Sequence, residues 1–140
     1  ESLFMHDIRS PAGALGLMQV MPRTGRQTAK ELNLRWRGNN TLINPSTNIR
    51  IGSYYLAKQL ERFGHPALAT AAYNAGPHRV KQWMPDESMP LDAWVASIPF
   101  TETRNYVQRV LSAQVIYEWR YNGAITRLES VAASQITKKE

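Results

Sequence analysis

From about residue 22 onward, apolar residues recur at spacings near three and four, and no segment alternates apolar with polar side chains as a half-buried strand would. That period restricts the chain to packed helices. Pro22 through Leu34 fits a helix with proline at its first position, and Arg35 to Leu42 reads as a loop rich in Asn and Gly. The clearest helix is Pro45 to Phe63, with Ile49, Ile51, Gly52, Tyr55, Leu56, Leu60 and Phe63 on its stripe, Asn44 or Ser46 as its cap, and Gly64 as its stop. Pro66 opens a second helix, Ala67 to about Ala75, which closes at Gly76-Pro77, and a shorter one follows through Val80 and Trp83. Met84-Pro85 and Met89-Pro90 bracket a turn before a short helix over Leu91 to Ser97. The longest helix starts at Thr101, capped by Thr101 or Thr103, and carries a continuous stripe through Tyr106, Val107, Val110, Leu111, Val115 and Tyr117 to about Tyr121.

A chain of 140 residues that is 43% hydrophobic buries one ordinary core, so one domain is expected. Ala124 to Glu140 is more polar, with a weak stripe of Ile125, Leu128, Val131 and Ile136, and reads as a docking helix or a disordered tail, a loosely held helix being favoured. With no Cys, a thiolate nucleophile and a cysteine metal site are both excluded. His6, His65 and His78 lie in unrelated contexts with no metal-site spacing, and no phosphate loop or nucleotide fingerprint appears, so neither metal nor organic cofactor is implied. No apolar run approaches the roughly 20 residues that span a bilayer, which gives a soluble chain without an integral membrane segment. The first residue is Glu1 rather than Met, which reads as a fragment of something longer. A net charge of +6 favours a polyanionic partner: nucleic acid, an anionic membrane, or a peptidoglycan strand bearing peptide carboxylates. Arg23, Arg26, Lys30, Arg35 and Arg37 cluster, but without any motif that reads nucleic acid, so no nucleic-acid partner is expected.

Three blocks bear chemistry. At the start stand Glu1, Ser2, Phe4 and Ser10; behind them come Gly13, Ala14, Gly16, Leu17, Met18, Gln19 and Met21; further on, Ala72-Tyr73-Asn74-Ala75-Gly76 closes a helix. A helix ending in Tyr-Asn-Ala-Gly presents an aromatic ring, an amide and bare backbone at one spot, which suits gripping a sugar ring. Gly13 and Gly16 permit sharp turns or a close approach to a substrate. Cleaving a glycosidic bond needs an acid to protonate the leaving oxygen. Glu1 is the candidate, provided that apolar neighbours keep its carboxyl protonated; Leu3, Phe4, Leu17, Met18, Met21 and Tyr73 are the candidates for that surround. Taken alone, a Glu at a chain terminus is ordinarily just a solvated charge. Glu102, in Phe-Thr-Glu-Thr-Arg-Asn-Tyr, is the second carboxylate of interest, although a Glu at a helix start also answers to the helix dipole.

Over Glu1 to about Gly123 these blocks resemble the catalytic domain of the lytic transglycosylases, lysozyme-like enzymes that cut bacterial peptidoglycan, and within them the large soluble enzymes of Gram-negative bacteria. Spacing and residue types agree from Glu1 through Gln19 without a gap, although many members have Pro and Ala where this chain has His6 and Ile8. The resemblance implies an all-α, lysozyme-like fold of the goose-lysozyme and lytic transglycosylase type. It also implies a catalytic domain over 1–123 that lacks the helix before Glu1, with 124–140 as a tail. Glu1 is then the single catalytic acid and base. Ser10, Gln19, Met21, Tyr55, Tyr73, Asn74, Glu102 and Tyr106 are substrate-binding residues, with Tyr73 hydrogen-bonded to the catalytic Glu.

The implied reaction cleaves between N-acetylmuramic acid and N-acetylglucosamine and closes a 1,6-anhydro ring. The implied partners are glycan strands and an N-terminal helical region of the same parent protein, in the periplasm. A goose-type muramidase would hydrolyse the same bond and leave reducing ends. A noncatalytic peptidoglycan-binding module is the reading that a free ammonium on Glu1 would favour, because it would hold the carboxylate charged.

Overall fold

The computed structural model describes residues 7–123 and 134–137, apart from the Asn122 side chain. Among them are seven helices and one short antiparallel strand pair, so the chain is mostly helical, as its periodicity predicts. The chain divides into two compact units, residues 1–58 and 59–140, and the division falls inside a helix.

In the first unit, α1 (Pro22–Glu31) and α2 (Asn40–Ile43) precede α3 (Pro45–Phe63). Helix α1 stops three residues before Leu34. The backbone turns at Leu32 and passes through Asn33 at φ 55°, where the Leu34 N–H bonds the Ala29 carbonyl. The Asn- and Gly-rich loop holds one helical turn, α2, because Leu42 is drawn fully into the core. Asn44 caps α3 by accepting the Thr47 N–H at 2.9 Å, ahead of a proline in the first turn. Leu15, Val20, Ala29, Leu42 and Ile51 form the core of this unit, with Met18, Leu32, Leu34 and Trp36 against it. Gly25 lets α1 approach Leu42 closely, since a Cβ there would come within 2.9 Å of both Leu42 methyls.

In the second unit, α4 (Pro66–Ala75), α5 (Pro77–Trp83), α6 (Leu91–Ser97) and α7 (Thr101–Asn122) surround a core of Leu68, Ala71, Ala72, Trp94, Ile98 and Val107. The Ala-rich face of α4 lets α7 and α5 pack closely against it. His65 caps α4 through its ring, Nδ1 accepting from the Ala67 N–H at 3.1 Å.

Three expectations are corrected in this unit. The N-cap of α7 is Phe100, with no side-chain cap bond; neither Thr101 nor Thr103 fills that role, because Thr103 turns inward and donates to Asn74. The second concerns the tail: Met84-Pro85 and Met89-Pro90 bracket a bend at Asp86 and Glu87 as expected, and Met89-Pro90 is also strand β1 (Met89–Pro90), paired antiparallel with β2 (Gln135–Ile136) in the register Met89 with Ile136. Residues 135–136 are therefore strand rather than helix, held because Ile136 is fully buried and Ser134 accepts the Leu91 N–H at 2.8 Å. The rest of the proposed tail helix lies outside the described residues. Third, the α7 stripe is fully covered only at Val107: Tyr106, Val110, Leu111 and Val115 are half-buried, and Tyr117 is 60% exposed.

Candidate functional site

Glu1, and with it Ser2, Leu3 and Phe4, lies outside the described residues. The other candidates fall into two groups, one in each unit.

In the first unit the backbone from Ile8 to Val20 doubles back on itself, with isolated bridges joining Arg9 to Leu15 and Leu15 to Val20. Ser10 closes one end. Its Oγ accepts the Ala14 N–H at 2.9 Å and its N–H bonds the Ala14 carbonyl at 2.9 Å. The other end is a tight turn from Gly16 to Gln19, closed by the Gln19 N–H on the Gly16 carbonyl at 3.0 Å. Gln19 sits at φ 48°, a left-handed conformation that costs a non-glycine residue about 1 kcal/mol, and its own Nε2 braces the turn on the Gly16 carbonyl at 2.8 Å. The side chain is exposed. Met21 follows at the head of α1 and is 44% exposed, although a methionine usually fills a core. Tyr55, on α3, is half-buried.

This loop is fixed by a residue that periodicity and motif do not single out. Asn48 on α3 is fully buried, and its Nδ2 donates to the carbonyls of Leu15 at 2.9 Å and Leu42 at 2.8 Å while its Oδ1 accepts the Met18 N–H at 2.8 Å. One amide therefore satisfies three backbone groups, on the loop and on α2. Gly16 makes room for it: the backbone stands at φ 76°, and a Cβ there would collide with the Asn48 amide and lie 2.5 Å from the Leu42 carbonyl oxygen. The one signal in the sequence is an Asn at a core-facing position, three residues before the buried Ile51.

In the second unit, α4 ends at Gly76, whose φ of 93° makes the break that lets Pro77 start α5 at once. Tyr73 and Asn74 occupy the last turn, Tyr73 half-buried and Asn74 exposed. Asn74 Oδ1 accepts from the buried Thr103 hydroxyl at 2.7 Å, which fixes the amide so that Nδ2 faces Glu102 Oε1 at 3.4 Å. The structure thus brings Asn74 and Glu102 together, with the carboxylate in the first turn of α7. Tyr106 stands one turn further along α7, and its burial pushes the phenol above its ordinary value, so it remains a neutral donor at physiological pH.

Among the described residues, no group of three or more His, Asp or Glu is placed to hold a metal ion, and no helix is long and apolar enough to cross a membrane. In each unit an exposed amide is braced by its neighbours, Gln19 on the Gly16 carbonyl in the first and Asn74 by the buried Thr103 hydroxyl in the second.

Comparison with known proteins gives the family. Residues 1–92 match the transglycosylase SLT domain, and residues 97–124 match the soluble lytic transglycosylase helical domain. The chain is 45% identical over 121 residues to the soluble lytic murein transglycosylase of Salmonella typhimurium, covering 84% of this chain and 19% of that protein. Its counterpart in Escherichia coli is 42% identical over 123 residues, which is 85% of this chain and 19% of the relative. The chain therefore spans about a fifth of the length of these relatives. Among solved structures, an inactive Glu-to-Gln mutant of lytic transglycosylase Slt from Pseudomonas aeruginosa superposes with a TM-score of 0.80 at 45% identity, over 91% of this chain and 22% of that one. A complex of the 70-kDa soluble lytic transglycosylase with bulgecin A gives 0.84 at 35% identity, over 97% and 23%. The fold is thus lysozyme-like, of the lytic transglycosylase type, and the chain belongs to the transglycosylase SLT domain family.

Proposed function

We propose that this chain is the catalytic part of a peptidoglycan lytic transglycosylase that cleaves the β-1,4 bond between N-acetylmuramic acid and N-acetylglucosamine. The observation that carries the reading is the family match itself, which begins at residue 1 and so includes Glu1 together with the loop that Gly16 and Asn48 lock. The Pseudomonas relative adds weight, since a Glu-to-Gln mutant of that enzyme, 45% identical to this chain, is inactive.

In this mechanism the Glu1 carboxyl donates its proton to the glycosidic oxygen as the C1–O4 bond breaks. The oxocarbenium-like muramoyl group is stabilised by its own acetamido oxygen. The Glu1 carboxylate then takes the proton of the muramoyl C6 hydroxyl, whose oxygen attacks C1 to give the 1,6-anhydro product. The proton returns to Glu1 and no water is consumed. One protein carboxylate suffices because the nucleophile is already tethered to the substrate.

Ser10, Gln19, Met21 and Tyr55 from the first unit, and Tyr73, Asn74, Glu102 and Tyr106 from the second, are assigned to glycan binding. A left-handed Gln19 retained in a rigid turn supports this, because backbone strain persists at positions that serve a ligand. Residues 1–123 would form the catalytic domain, with 124–140 as a tail. The length of the relatives supports an additional helical region in the parent protein, and the substrate supports a periplasmic location.

The test is to incubate purified peptidoglycan with the full parent protein and its Glu1→Gln variant, and to resolve the released muropeptides by mass. The proposal predicts anhydromuramoyl products that the variant abolishes. Reducing ends would replace it with a muramidase, and binding without products would replace it with a noncatalytic module.

A further inference from the structure

The basic cluster on α1 is absorbed neither by the fold nor by the proposed reaction. Arg23, Arg26 and Lys30 are three and four residues apart, so they share one face of the helix and span about 10 Å along its axis. All three are exposed and, among the described residues, form no salt bridge or hydrogen bond. They border an open depression of about 1160 Å³ whose lining also includes Glu31, Leu34 and Trp36, all within the first unit. Leu34 and Trp36 are half-buried against the core of that unit, which fixes an apolar floor beneath the cations.

The sign pattern selects among anions. Glu31 shares the depression, and its charge is partly matched by Lys58 Nζ at 2.7 Å, with Gln27 on the other oxygen at 3.5 Å. A continuous polyphosphate laid along α1 would meet that carboxylate. A short peptide would not, because it alternates carboxylates with N–H donors and aliphatic side chains. Its carboxylates suit the two planar guanidinium groups and Lys30, its N–H groups suit Glu31 and Asn39, and its side chains suit Trp36.

We propose that this depression binds the carboxylates of the acidic peptides borne by the glycan strand, as an accessory site separate from the residues assigned to bond cleavage. The proposal rests on the peptidoglycan reading given above. It implies that strands carrying peptides are held more tightly than bare glycan, through a salt-sensitive contact.

The test uses the full parent protein and a fluorescently labelled, uncrosslinked glycan–peptide fragment, with binding read by anisotropy. The native fragment is compared with one whose peptide carboxyls have been amidated. Arg26→Gln combined with Lys30→Gln should raise Kd for the native fragment about tenfold, the loss of two exposed charge-assisted contacts, and leave Kd for the amidated fragment unchanged. Lys30→Arg, which keeps the charge, should retain the native value. Release of anhydromuramoyl products from peptide-free glycan should be the same for wild type and the double variant. Equal binding of the native and amidated fragments, or a double variant without effect, overturns the site even when peptide-free glycan is still cleaved. Binding of a single-stranded DNA of matched charge as tightly as the native fragment overturns it too, in favour of a general polyanion surface. Anhydromuramoyl products absent from wild type, with the carboxyl-dependent binding intact, would remove the enzymatic reading and leave the site standing. Circular dichroism and the urea midpoint of the double variant should match wild type, since both side chains are exposed.

Discussion

Replacing Asn48 with Ala tests the claim that one buried amide holds the Gly16–Gln19 turn in place. The substitution withdraws Nδ2 from the Leu15 and Leu42 carbonyls, 2.9 and 2.8 Å away, and Oδ1 from the Met18 N–H at 2.8 Å. A buried polar group left without its partner costs about 1–3 kcal/mol. Water can re-solvate the Met18 N–H, which is only partly buried, so the two buried carbonyls carry most of the loss. We expect destabilisation of about 3 kcal/mol in all, near the low end of the range for three groups. With a urea m-value of about 1.5 kcal/mol/M, the midpoint should fall by about 2 M at unchanged m, followed by far-UV circular dichroism. Asn48→Asp is the decisive companion. It keeps the acceptor for Met18 but turns a carboxylate toward two carbonyls, so it should cost more than Ala despite its nearly identical shape. A loss below about 1 kcal/mol for Ala, or an Asp variant as stable as wild type, would refute the reasoning.

Gly16→Ala should cost about 3 kcal/mol in the same urea assay, from the left-handed φ and the collision with the Asn48 amide, and combined with Asn48→Ala should cost less than the sum of the two. Thr103→Val leaves Asn74 Oδ1 without its buried donor; it should lose about 1 kcal/mol in urea and slow muropeptide release, while Thr103→Ser preserves both. Burial lowers the pKa of His65, so the unfolded chain binds the extra proton first as pH falls. The stability of the neutral ring is complete above the unfolded value of about 6.5 and is lost as pH drops through the lower folded value, where protonated Nδ1 no longer accepts the Ala67 N–H. His65→Asn keeps a capping oxygen without a titration, and should flatten this part of a urea-midpoint profile between pH 7 and 5.

The helices were legible because their causes are local. Pro45, Pro66 and Pro77 each take the first helical position, Gly64 stands past the end of α3 at φ 68°, and Leu91 to Ser97 is a helix over the span its pattern predicts. The resemblance likewise singled out Asn74 and Glu102 from sequence, and the structure brings these two together. What the pattern could not supply were choices between competing partners. Thr103 is chemically fit to cap α7, yet it bonds Asn74, a residue 29 positions away that it meets only after α4 and α7 pack. Asn48 looks like an interruption of an apolar stripe until Leu15, Met18 and Leu42 arrive around it. The strand pairing of Met89 with Ile136 joins residues 47 apart and has no local signature at all. Sequence alone determined where α3 to α7 begin and end and which polar residues are available for chemistry, because propensity and periodicity act over a few residues. Tertiary structure alone decided which backbone groups those side chains satisfy, because a buried hydrogen bond is worth making only with the partner that packing has already brought within reach.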